Sequence, residues 1–142
     1  MFLGQYQHNL DSKGRMIVPS RFRDSLEGVV YLTQGFDQNL RLLPEAAFNA
    51  IYQQVAAMNT TDPTARRLRR LIFSTAQQVE VDGNGRILIP KYLRDIANLD
   101  SGVVIVGVGE AIEIWSPEAW EVENNLLQDA EANTQRFAAL DV

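Results

Sequence analysis

From residue 5 to residue 10 the chain alternates polar and larger side chains, setting Tyr6, His8 and Leu10 on one face, and this period of two predicts a half-buried strand. Residues 77–81 repeat the pattern with Val79 and Val81. The apolar runs Met16-Ile17-Val18 and Ile87-Leu88-Ile89 come next and read as short buried strands. Each runs into a proline, Pro19 or Pro90, where a short helix can begin because the first helical turn has no use for the missing N–H. Phe22 with Leu26, and Leu93 with Ala97, give those helices one apolar stripe. Residues 29–32 and 103–106 are strong β runs, residues 35–39 and 107–111 read as hairpin loops, and residues 40–42 and 112–114 as the returning strands. A helix follows in both places. The first carries Phe48, Ile51 and Val55 at helical spacing, and the second opens on Ser116-Pro117-Glu118, an N-cap, a first-turn proline and a first-turn acid.

The same order of elements is thus written twice, and one stretch shows it at the level of residues. Asp11-Ser-Lys-Gly14-Arg15-Met-Ile-Val-Pro19-Ser-Arg-Phe-Arg23-Asp24 returns as Asp82-Gly-Asn-Gly85-Arg86-Ile-Leu-Ile-Pro90-Lys-Tyr-Leu-Arg94-Asp95, with the same residue at six of fourteen positions and no gap. The chain is an internal duplication. Asp11 and Asp82 each suit a turn that a side-chain carboxylate closes on nearby N–H groups, and Gly14 and Gly85 supply its positive φ. Arg15 and Arg86 therefore leave a rigid turn and enter a strand, which lowers the entropy lost when they bind something. The expected division is a first half over residues 1–58, a linker and basic helix over 59–76, and a second half over 77–142 that ends in an acidic helix or tail. Asp62 caps the basic helix, and Leu68, Leu71 and Ile72 are its inward residues. Its arginines fit phosphate contact or acids on a neighbour. A single half cannot bury both faces of its few strands, but two halves together can.

Composition narrows the class. A chain of 142 residues that is 46% hydrophobic has material for one core. No run of eighteen apolar residues marks a membrane span, the first residues lack the form of a signal peptide, and a cytoplasmic location is expected. The absence of Cys excludes a disulfide framework and a thiolate metal site. Net charge is −5, but residues 1–71 carry nine Lys/Arg against six Asp/Glu and residues 72–142 four against twelve. Seven of those acids fall between Glu110 and Glu131 with no Lys or Arg among them. Since phosphates respond to local patches, this balance neither supports nor excludes a nucleic acid.

No enzyme, metal or cofactor is expected. The one histidine, His8, lies within the alternating strand pattern. Asp82-Gly-Asn-Gly85 begins like a calcium loop, yet Arg86 and Ile87 stand where that loop needs an oxygen ligand and a glycine. Asp11 and Asp82 each have a turn to close and do not suggest a catalytic pair. An oligomeric scaffold or protein-interaction module without DNA binding is the rival class. Against it stands the residue after each turn glycine: any strand former would serve a merely structural turn, and both copies use Arg.

The doubled Asp-x-x-Gly-Arg motif with three apolar residues and Pro, the opening Met1-Phe2-Leu3-Gly4, the stretch Ala65-Arg-Arg-Leu-Arg-Arg70 and Glu113-Ile-Trp115 together resemble the MraZ family, bacterial transcriptional regulators with two AbrB-like halves. The resemblance implies an α+β, mainly β fold, an intertwined swapped-hairpin barrel built from two internal repeats with short flanking helices. It implies sequence-specific binding of double-stranded DNA, centred on Arg15 and Arg86, with Lys13 and Asn84 beside them and Asp11, Gly14, Asp82 and Gly85 supporting the turns. It also implies control of the protein's own cell-division and cell-wall operon through direct promoter repeats, ring-like homo-oligomers and association with the nucleoid. No small-molecule substrate is implied.

Overall fold

Each half opens with a strand whose hydrogen-bonding partner lies in the other half. The computed structural model describes residues 1–142. Its first half runs β1 (Gln5–Asn9), β2 (Arg15–Ile17), α1 (Ser20–Arg23) continuing into a 3-10 turn at Asp24–Leu26, β3 (Val30–Gln34), β4 (Leu40–Pro44) and α2 (Glu45–Ala56). Helix α3 (Pro63–Thr75) connects to β5 (Gln77–Val79), β6 (Arg86–Leu88), α4 (Lys91–Ile96), β7 (Gly102–Gly107), β8 (Ile112–Trp115), α5 (Pro117–Leu127) and α6 (Ala130–Arg136). The predicted caps form: Asp62 accepts from the Thr64 N–H and Ser116 from the Ala119 N–H. The acidic end of the chain is helical through α5 and α6, and α6 buries none of its residues.

Six strands make one antiparallel sheet in the order β1-β7-β8-β4-β3-β5. Exchanging the halves turns β1 into β5, β7 into β3 and β8 into β4, so the order reads the same from either edge. Each hairpin, β3–β4 and β7–β8, accepts the leading strand of the other half at its side, Tyr6 facing Ile105 and Tyr31 facing Gln78. The remaining strands, β2 and β6, pair with each other as a separate two-stranded ribbon. A closed barrel is not formed. β1 and β5 remain sheet edges, because past each of them the chain turns away into the ribbon.

The core lies between the sheet, the ribbon and the short helices. Its 19 residues come from both halves, among them Met16, Val18, Phe22, Leu32 and Leu42 from the first and Ile87, Ile89, Leu93, Ile105 and Ile114 from the second. The predicted stripes of α1 and α4 are buried there. The outer face of the sheet is covered twice. Phe48 of α2 stacks on Tyr31 with ring centres 4.2 Å apart, and Trp120 of α5 meets Trp115 edge-on at 5.4 Å.

Candidate nucleic-acid interface

The turn that joins β1 to β2 is organised by one carboxylate. Asp11 Oδ1 accepts the N–H groups of Lys13 and Arg15, both at 2.9 Å, and Oδ2 accepts Arg15 Nε–H at 2.6 Å. Gly14, with φ of +82°, donates its N–H to the Asp11 carbonyl. The second turn repeats this, with Asp82 accepting the N–H groups of Asn84 and Arg86 at 2.9 Å and Arg86 Nε–H at 3.1 Å. The donors hold both carboxyls below the ordinary carboxylate range. For Asp11 the Arg15 backbone N–H is the largest cause, followed by the Arg15 side chain and the Lys13 N–H, and the pKa falls from 3.8 to about 2. Asp82 is lowered chiefly by the Arg86 backbone N–H.

A depressed acid stabilises the fold above its unfolded pKa and ceases to do so as pH falls through its folded pKa. The Asp11 turn is therefore expected to be complete above about pH 4 and to loosen as pH approaches about 2. A carboxyl 13C titration should give Asp11 a midpoint near 2. Arg15→Ala should raise that midpoint only part of the way, since the backbone donors remain. A midpoint at the ordinary value in the native chain would show that the turn is not held as described.

Antiparallel pairing sets Arg15 opposite Leu88, Met16 opposite Ile87 and Ile17 opposite Arg86. Met16 and Ile87 are wholly buried, so alternation along the strands turns Arg15, Ile17, Arg86 and Leu88 to the other face. This corrects the expectation that both apolar runs are buried throughout: Ile17 is 43% exposed and Leu88 53%. With one face packed, alternation buries the first and third residues of each apolar run and turns the middle one outward. Arg15 and Arg86 are diagonal neighbours on that face, a relation that spans about 7–8 Å in antiparallel pairs. Each spends Nε on its own aspartate, and the terminal nitrogens of neither guanidinium have a protein acceptor.

The structure gathers the eight residues singled out in the turns into two groups of four, Asp11, Lys13, Gly14 and Arg15 at one end of the antiparallel ribbon and Asp82, Asn84, Gly85 and Arg86 at the other. Lys13 and Asn84 occupy equivalent exposed positions beside Arg15 and Arg86. Sequence reading missed Ile17 and Leu88, although the same alternation that puts Arg15 outward would have found them. It also gave no role to Arg23 and Arg94, whose Nε–H groups donate to the carbonyls of Val18 at 2.9 Å and Ile89 at 3.0 Å. Their signal was present, since they are among the six positions repeated between halves. On α3, Arg66 is used internally, its Nη1 donating to the Thr60 and Thr61 carbonyls at 3.1 Å, while Arg67 and Arg70 are exposed. No helix is long and apolar enough to cross a membrane.

Comparison with known proteins finds two repeats in the chain. Residues 1–71 and residues 72–140 each match the family model described as "MraZ protein, putative antitoxin-like". A protein of Thermomicrobium roseum is 41% identical over 141 residues, covering 99% of both chains. One of Roseiflexus castenholzii is 41% identical over 138 residues, 97% of this chain and 94% of its own. One of Herpetosiphon aurantiacus is 39% identical over 143 residues, the whole of both. All three bear the name transcriptional regulator MraZ. With both repeats matched to one family model and relatives aligned from end to end, the chain belongs to the MraZ family.

Proposed function

We propose that the protein is a sequence-specific DNA-binding transcriptional regulator whose reading element is the ribbon of β2 and β6 with its two turns. The observation that carries this is the outer face of the ribbon, which holds two guanidinium groups whose terminal nitrogens have no protein acceptor beside two exposed apolar side chains. The DNA major groove admits a two-stranded ribbon, Arg matches guanine O6 and N7 with two hydrogen bonds, and thymine methyls take apolar contacts. Arg15 and Arg86 supply the first kind of contact, Ile17 and Leu88 the second. Lys13 adds a phosphate contact that Asn84 cannot match in charge. The relatives' name supports the regulatory role.

The finer reading is control of its own cell-division and cell-wall operon through direct promoter repeats, in the cytoplasm and at the nucleoid, by a ring-like homo-oligomer. Charge supports a head-to-tail contact between copies: α3 exposes Arg67 and Arg70, and the α5–α6 region is acidic without a balancing base from Glu110 to Glu131. The exchange of leading strands between hairpins supports an AbrB-like intertwining of the halves.

Arg15→Ala or Arg86→Ala is expected to weaken binding to the DNA upstream of the protein's own coding region by about 1–3 kcal/mol, a loss of about 5–150-fold. Thermal unfolding should move little, because exposed ion pairs add little stability. Fluorescence anisotropy and calorimetry on the same variants check both. A large fall in melting temperature with DNA binding intact would make these arginines structural.

A further inference from the structure

The geometry points to Arg23 and Arg94 as positioning residues that hold the two reading turns crosswise, each arginine fixing the turn of the opposite half. The inference rests on the DNA-reading role of the ribbon. Arg23 leaves α1 in the first half and donates Nε–H to Val18 O at 2.9 Å. The rest of its guanidinium lies on Gly85, at the end of the second turn, in the space that a Cβ would occupy: a Cβ there would overlap Arg23 Cζ, Nε and Nη2. Arg94 repeats the arrangement from the second half. It donates Nε–H to Ile89 O at 3.0 Å, and a Cβ on Gly14 would stand 2.7 Å from Arg94 Cζ and 2.8 Å from its Nε.

The backbone closes each arrangement into a loop. Gly85 O accepts the Val18 N–H at 2.8 Å, and Gly14 O accepts the Ile89 N–H at 3.0 Å. Each turn glycine is therefore gripped by the other half twice, through its carbonyl by the ribbon ladder and over its Cα by a guanidinium. Both glycines are buried on the rim of an otherwise exposed turn, and these arginines cover them. The next residue in the chain is Arg86 in one case and Arg15 in the other, so a displaced glycine moves the base of the reading side chain directly. Arginine suits the task because its flat guanidinium lies on a peptide surface while its Nε–H fixes the orientation. Neither Arg23 nor Arg94 has a carboxylate partner, so no ion pair explains their placement.

The test combines a measurement on the free protein with double-mutant cycles on DNA. In the full-length free protein, Arg23→Ala should speed amide hydrogen exchange at Asn84, Gly85 and Arg86 by about tenfold or more, as local opening becomes easier, and leave Lys13 to Arg15 unchanged. Arg94→Ala should do the reverse. Arg23→Lys keeps the charge but not the flat fork, and should not restore slow exchange. On promoter DNA, Arg23→Ala should add less than about twofold to the loss caused by Arg86→Ala, which is within the additivity error of independent sites. It should multiply with Arg15→Ala. Unchanged exchange, or loosening of the turn in the same half, would overturn the assignment. So would losses that multiply with both reading arginines and a salt slope lowered by about one, the mark of a direct phosphate contact. If the native protein fails to bind the DNA at all, the DNA reading falls while the exchange data still decide the positioning role.

Discussion

A promoter fragment with three correctly phased direct repeats is expected to bind the protein about 10²–10⁴-fold more tightly than a fragment with one, the range that avidity supplies without new contacts. One chain presents one ribbon with two turns. Its basic side chains there, Lys13, Arg15 and Arg86, promise few phosphate contacts on a body of net charge −5. So few contacts bind weakly at physiological salt. An assembly that sets several ribbons along one duplex makes every contact after the first intramolecular. A cyclic array repeats its surface head to tail, so it matches direct repeats, whereas a two-fold dimer matches a palindrome. Lengthening the spacer by half a helical turn should abolish the gain, because the second box then faces away from the next ribbon. Titrations with one, two and three boxes, in both spacings, measure this. Equal affinity for one box and three would mean that a single ribbon already carries the full binding energy.

Residues 1–58 and residues 77–142, produced separately, are expected to be unfolded or aggregated. In the first fragment β1 loses β7, its one partner, and β2 loses β6; in the second, β5 loses β3. The 19-residue core is divided as well, with Met16, Leu32 and Leu42 parted from Ile87, Ile105 and Ile114. Each such side chain contributes about 1.5–3 kcal/mol when buried. Exposing several of them exceeds the roughly 5–15 kcal/mol that holds a domain together. Circular dichroism and proton NMR of the fragments decide the matter. Two dispersed, independent spectra would show that each half has a core of its own.

The duplication made much of this architecture legible. Repeated turns, prolines and β runs set the order of elements, and the alternation of Tyr6, His8 and Leu10 marked β1 correctly. Where each strand finds its partner is another matter, because pairing between residues a hundred positions apart leaves no local trace. Gln5 faces Val106 for reasons that lie in the closure of the whole sheet. The run Met16-Ile17-Val18 shows the limit in miniature. Three apolar residues look buried as a group, yet with one packed face Met16 and Val18 go inward and Ile17 between them is turned out. Arg23 and Arg94 show the converse. Their repetition was visible, but that each reaches the opposite turn emerges only once the halves are interleaved.

The palindromic strand order gives the two turns equivalent places while letting their residues differ. Two identical chains joined about the same axis would have to alter both turns with every mutation, and their ribbon would sit on DNA equally well in either direction. Here Lys13 faces solvent at one end and Asn84 at the other. One end is cationic, its counterpart across the two-fold relation neutral. The ribbon therefore carries an arrow, and under the proposed function a row of such ribbons would read a promoter array with a sense of left and right.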